Sequence, residues 1–304
     1  MSCYNVRTDL ALEARESIEE TDQAVRGISV EEEYREESEV RITRVVIETK
    51  NGAKAMHKPM GTYITLEAPG MQEPDEDYHR EIAEEISHVL KKLIPNAEKE
   101  QSILVVGLGN RQVTADALGP GVVDNLFITR HIVREYGKAA YDREQMNQVS
   151  GLVPGVMAQT GMEAAEIIRG VVEETRPDVV VVIDALAARS TKRLNRTVQI
   201  TNTGIQPGSG VGNHRNALTK ESLGVPVIAI GVPTVVDAAT IVNDALEKIQ
   251  KEQKTVGGEK FPEIPGGTLN ELNNMYVTSK DIDETVKRLS FMISEALNMT
   301  FELG

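Results

Sequence analysis

Residues 103–120 read ILVVGLGNRQVTADALGP. Ile103 to Val106 form a continuously apolar run that ends at Gly107-Leu108-Gly109-Asn110. That is the signature of a strand buried on both faces and closed by a glycine turn. A polar loop follows with one acid, Asp116, and then a run suited to a helix from about Leu118 to Tyr136. Residues 179–190, VVVVIDALAARS, repeat the design: four valines and Ile183 lead into Asp184. Open α/β sheets keep their ligands at the carboxyl ends of the strands. Loops after two core strands are therefore expected to deliver Asp116 and Asp184 to one edge of one sheet.

Outward from this centre, strands and helices alternate. Ile82, Ile86, Val89, Leu90 and Leu93 recur at helical spacing, predicting a helix over 78–93 that Pro95 stops. Thr160 with Glu163 three residues on predicts a capped helix over 160–175. TVQIT at 197–201 and PVIAI at 226–230, ending at Gly231, read as strands, and 234–249 as a helix. Thr278 and Asp281 introduce a last helix with Ile282, Val286, Leu289, Ile293 and Ala296 on one face. Upstream, 13–39 is strongly acidic and reads as a solvated helix followed by a loop. VRITRVVIET at 40–49, an Asn51-Gly52 turn and TYITL at 62–66 read as two strands. The expected fold is α/β: a mostly parallel sheet with helices on both faces, plus a small antiparallel N-terminal β layer. Residues 10–75 form a peripheral subregion of one domain spanning 10–304, and the polar, Gly- and Pro-rich 251–276 forms a mobile loop.

Composition narrows the function. Asp and Glu number 47 against 33 Lys and Arg, a net charge of −14, which repels phosphate backbones and argues against direct nucleic-acid binding. The single cysteine, Cys3, allows no internal disulfide and fits a reducing compartment. No apolar run reaches the roughly 18 residues of a membrane helix, and the N-terminus lacks a signal pattern. A cytoplasmic chain with no membrane partner is expected.

Asp116 and Asp184 carry the candidate chemistry. Each acid alone could simply cap the helix after its strand. Brought close, two carboxylates cannot both ionise cheaply, so one draws a proton from water while the other polarises a carbonyl or protonates a leaving amine. The same pair could instead ligate a divalent cation that activates the water. The glycines at 107 and 109 lack the third glycine of a dinucleotide fingerprint, since position 112 is Gln. A non-enzymatic nucleotide-binding α/β protein remains the other alternative. No histidine sits in a metal-binding spacing. His79 and His88 are expected at the surface. His214, after the glycine-rich TGIQPGSGVGN at 203–213, is a substrate-binding candidate. Arg189, Lys192 and Arg193 form either a solvated patch or a basic site for an acidic substrate side chain. No GxSxG motif is present.

At these residues the chain resembles the germination proteases of spore-forming bacteria, endopeptidases that degrade small acid-soluble spore proteins. The matches are VRTDLALEA at 6–14, GTYITLEA at 61–68, LVVGLGN with DALGP, PGVMAQTG at 154–161, IDALAARS at 183–190, TGIQPGSGVGN, and GVPVIAIGVPTVVDA at 224–238. Residues 251–274 look shorter than in many relatives. The resemblance implies an atypical aspartic endopeptidase whose essential acids fall on Asp116 and Asp184, with no cofactor. It implies a zymogen that removes a propeptide, residues 1–9, by cutting between Asp9 and Leu10. With residues 1–9 present, this form is expected to be silent. Thr8-Asp9-Leu10-Ala11-Leu12-Glu13 is similar to the family's substrate pattern, an acid, an apolar residue, Ala and later Glu. A homotetramer in the spore core is implied as well. A more distant similarity is to the hydrogenase-maturation proteases, which hold a metal with an acid, an Asp and a His. No match to their His is found, which disfavours a metal-dependent reaction.

Overall fold

The structure is a computed structural model that describes residues 8–19, 26–137, 146–206, 216–254, 272 and 275–303. In chain order the helices are α1 (Ala11–Glu19), α2 (Lys50–Met56), α3 (Glu76–Leu93), α4 (Leu118–Asp124), α5 (Arg130–Tyr136), α6 (Met157–Thr160), α7 (Ala164–Thr175), α8 (Lys220–Leu223), α9 (Ala238–Lys254) and α10 (Ile282–Thr300). The strands are β1 (Ile28–Arg35), β2 (Val40–Ile47), β3 (Gly61–Glu67), β4 (Ser102–Gly107), β5 (Gln148–Leu152), β6 (Val179–Ala188), β7 (Thr197–Thr201), β8 (Val227–Asp237) and β9 (Tyr276–Val277).

These strands form one sheet in the order β1-β2-β3-β7-β8-β6-β4-β5, with β9 on β8. The β4–β5, β4–β6 and β6–β8 pairs are parallel; the other five are antiparallel. The sheet is thus mixed rather than mostly parallel. The expected antiparallel N-terminal layer is β1, β2 and β3, attached to the main sheet through the β3–β7 pair.

Alternation of side chains along each strand sends them to opposite faces. Ile103, Val105, Val179, Val181, Ile183, Val198, Ile200, Ile228 and Ile230 face one core, filled by α3, α4 and α10. Leu104, Val106, Val180 and Val182 face the other way, against Ala165, Ile168 and Val172 of α7. Further along this second face Ala11, Val45, Ile47, Met56 and Tyr63 pack together, seating α1 and α2. Between α7 and α1 on this face lie side chains of β6 and β7.

Several expectations need correction. The acidic 13–39 segment contains α1 and a strand, β1, where a loop was expected; β1 pairs residue for residue with β2 although almost all its side chains face solvent. Asn51-Gly52 lies inside α2, not a turn, because Thr49 caps that helix through Oγ1 to the Gly52 amide and a Cβ at Gly52 would lie 2.8 Å from the Gly27 carbonyl oxygen. The single helix expected over 118–136 is two. The break is held by the Phe127 amide on Asn298 Oδ1, 3.1 Å, and by Thr129, which bonds to Asn147 and Val149 beside β5. The helix expected from Thr160 starts four residues later at Ala164, where the Glu166 carboxylate accepts from the Glu163 amide at 2.8 Å. The strand ending at Gly231 runs on to Asp237. It passes Pro233 at an irregularity opposite Leu186 and Ala187, where a strand tolerates proline. This delays α9 to Ala238. Of the loop expected over 251–276, residues up to Lys254 belong to α9 and Tyr276 to β9; 255–271, 273 and 274 lie outside the described residues. No helix among the described residues is long and apolar enough to cross a membrane.

Candidate active site

Asp116 and Asp184 come from adjacent parallel strands, but by different means. Asp116 closes a short 3₁₀ turn, Thr114–Asp116, after β4. Its carbonyl oxygen accepts from the Asn110 amide at 2.9 Å, and the Thr234 hydroxyl of β8 holds the preceding carbonyl of Ala115 at 2.6 Å. Gly109 is what lets these backbones meet: its φ is +114° and a Cβ there would lie 2.0 Å from the Asp116 carbonyl oxygen. Asp184 does not sit in a loop as expected. It lies within β6, which continues to Ala188 because β8 still pairs with it after β4 has stopped at Ile183.

Asp184 is 6% exposed. Opposite it stands Gly231 of β8, and opposite Gly231 stands Gln199 of β7. Residues in one cross-strand row point to the same face. The row therefore aims Asp184 and Gln199 the same way, two strand spacings or roughly 9.5 Å apart at the backbone. Both line a cavity shared with Asp9, Lys58, Tyr63 and Leu186.

The chain's own N-terminal segment occupies this face. The Asp9 amide donates to the Ala187 carbonyl at 3.0 Å, and the Ala187 amide donates to Asp9 Oδ2 at 2.9 Å. The Asp9 carbonyl oxygen accepts from Lys58 Nζ at 2.9 Å and from Gln199 Nε2 at 3.1 Å. Gln199 Oε1 in turn accepts from the Ala11 amide at 2.6 Å. Leu10 is wholly buried among Leu186, Ala188, Leu194 and Val236. Glu13, 2% exposed, accepts from the amides of Arg189 at 2.7 Å and Ser190 at 3.0 Å and from the Thr8 hydroxyl.

The basic candidates divide. Arg193 makes a two-pronged pair with Glu16 at 2.7 Å, bonds Glu67 at 2.9 Å and lies 3.5 Å from Glu13. Burial works against its charge, but the hydrogen bonds it donates to Glu16 and Glu67 outweigh that and raise its affinity for the proton. The Arg189 guanidinium reaches Ser17 and Asp244, whereas Lys192 is exposed. His214 lies outside the described residues, as does Cys3. His88 is exposed, but His79 is buried, its Nε2 3.0 Å from the Met71 carbonyl oxygen. Burial lowers the proton affinity of Lys58, against the opposing pull of Asp9 and Glu13. Burial likewise pushes the Tyr63 hydroxyl up to about 12. Among the described residues no three His, Cys, Asp or Glu side chains gather as metal ligands.

Sequence reading missed Lys58, Gln199 and the backbone of Ala187. Gln199 left one trace, a polar residue alternating with Val198 and Ile200 in a strand.

The family model described as germination protease matches residues 6–260. The chain belongs to the germination protease family. The germination protease of Caldanaerobacter subterraneus is 45% identical over 98% of this chain and 95% of its own. That of Clostridium perfringens is 43% identical over 98% and 96%, and that of Bacillus mycoides 39% over 98% and 94%. Among solved structures, a NiFe hydrogenase maturation protease from Thermococcus kodakarensis covers 69% of this chain and 99% of its own, with 20% identity and a TM-score of 0.34. Germination proteases are peptidases, so amide hydrolysis is the reaction that the acids of this site must be weighed against.

Proposed function

We propose that this chain is an endopeptidase that begins the breakdown of small acid-soluble spore proteins at germination. It is made as a zymogen that cuts itself between Asp9 and Leu10, releasing residues 1–9 from a single domain of 10–304. One observation carries this reading: the Asp9–Leu10 linkage lies pinned in the cavity that Asp184 lines. An acid, a buried apolar residue and a later glutamate each have their own seat there, as a substrate's would.

In the mechanism, one carboxylate of the Asp116–Asp184 pair takes a proton from water as the oxygen attacks the carbonyl carbon of Asp9. The pair returns a proton to the Leu10 nitrogen as the C–N bond breaks. Arg193, with the amides of Arg189 and Ser190, holds the glutamate four residues past the cut. The working form is a homotetramer in the cytoplasm of the spore core, which light scattering after size exclusion would test.

The deciding experiment replaces each acid in turn. Asp116→Asn and Asp184→Asn are expected to stay folded by circular dichroism, yet to retain residues 1–9 by intact mass and to leave spore-protein peptides whole. Substantial cleavage by both variants removes the pair from the mechanism. Loss of wild-type cleavage with a chelator would favour a metal-dependent hydrolase. Nucleotide binding over Gly107–Asn110 without proteolysis would favour a nucleotide-binding protein.

A further inference from the structure

The carbonyl of Asp9 is held in an unusual way. It lies just outside α1, since the Ala14 amide already bonds to the Leu10 carbonyl, so no helical partner is due to it. Instead it receives two side-chain donors from separate elements, the Lys58 ammonium just after α2 and the Gln199 carboxamide of β7, at 2.9 and 3.1 Å. Gln199 also grips the Ala11 amide, so one side chain straddles the Asp9–Leu10 linkage. Gly231 stands between Gln199 and Asp184 in their row, and the absent side chain is replaced by Leu186 leaning across. Donors, acid and carbonyl thus share one cavity.

We infer that Lys58 and Gln199 are catalytic residues that form the oxyanion site of this peptidase; the inference rests on the reading of Asp9–Leu10 as a scissile bond. When water adds to the Asp9 carbonyl carbon, the C=O electron pair moves onto oxygen. The resulting oxyanion is held by an N–H of Lys58 and an N–H of Gln199, one of them charged. Collapse re-forms the C=O and expels the Leu10 nitrogen, which takes the proton that the aspartate pair removed from water. One water is consumed, and a carboxyl and an amine are released. Lys58 and Gln199 end as they began.

The test uses the full chain with Lys58→Met, Lys58→Arg and Gln199→Glu. The last is isosteric and keeps the acceptor for Ala11 while losing the donor for Asp9. Self-cleavage is followed as first-order loss of residues 1–9 by intact mass, and kcat and KM are measured on a peptide carrying the sequence of residues 6–14. Removing either donor is expected to slow self-cleavage on the order of 100-fold or more, with kcat falling in parallel and KM almost unmoved. Lys58→Arg recovers part of the loss. If Lys58→Met does not fold by circular dichroism, Gln199→Glu decides. A folded variant that cuts within about twofold of wild type, or one whose defect lies wholly in KM, overturns the oxyanion assignment while Asp184→Asn remains inert and the proposed function stands. A wild-type chain that cuts neither itself nor the peptide overturns both.

Discussion

Glu13 shows how one side chain decides whether the first helix stays in place. Its carboxylate meets two backbone amides, a hydroxyl and a guanidinium while almost out of water. An amide there could accept from one backbone donor but would turn its own N–H₂ toward the other. Glu13→Gln is therefore expected to cost about 1.5–3 kcal/mol of local stability. Hydrogen exchange of the amides of residues 10–17 would read that as opening more than about tenfold faster at equilibrium. Lys58 makes a pH prediction. It shares its cavity with Asp9, His57, Tyr63 and Asp184, and burial draws its proton affinity below that of an ordinary lysine, against the pull of Asp9 and Glu13. If the charged form holds the oxyanion, the rate is full while Lys58 is protonated and falls as pH rises through its lowered pKa, earlier than an ordinary lysine would titrate. Tyr63, pushed up to about 12, stays neutral through that range. Self-cleavage measured from pH 7 upward should show this limb, and Lys58→Met should lack it.

At the scale of elements, local pattern and pairing partner contribute differently. β4, β6, β7, α3 and α10 were legible because their apolar residues recur with the period of the element and are buried where the pattern says. Leu289 of α10 is wholly enclosed against α3 and α4. Leu289→Ala should cost about 2–5 kcal/mol, seen as a lower urea midpoint with unchanged slope, while cleavage below the transition persists. β1 was illegible because its stability comes from backbone bonds to β2, not from an apolar face. The extension of β6 past β4 was illegible too. It depends on β8 continuing beyond Pro233, a property of two strands distant in the chain. Without that register nobody could place Gln199 in the row of Asp184. The two acids could be named from sequence because each follows a conspicuous apolar run; their helpers follow none.

For the molecule as a whole, the sheet is a parallel half carrying the acids joined through β7 and β8 to an antiparallel half that supplies Lys58 and shares the seat of α1. The site lies at the seam, so neither half contains it alone. At the far margin stands β1, whose Glu31, Glu32 and Glu33 face outward. An outer strand offers unpaired backbone groups to any passing chain, and charge is a common defence against that. Were two copies to pair there edge to edge, their carboxylates would come about 4.8 Å apart, offset only in part by the ion pairs of Arg44 with Glu31 and Arg35 with Glu33, each at 3.0 Å. Replacing all three with Gln should leave melting little changed but make concentrated solutions scatter light and bind amyloid dyes; clear solutions from that variant would show the glutamates are not what prevents stacking. On this expectation, three adjacent letters give the protein its resistance to gelling.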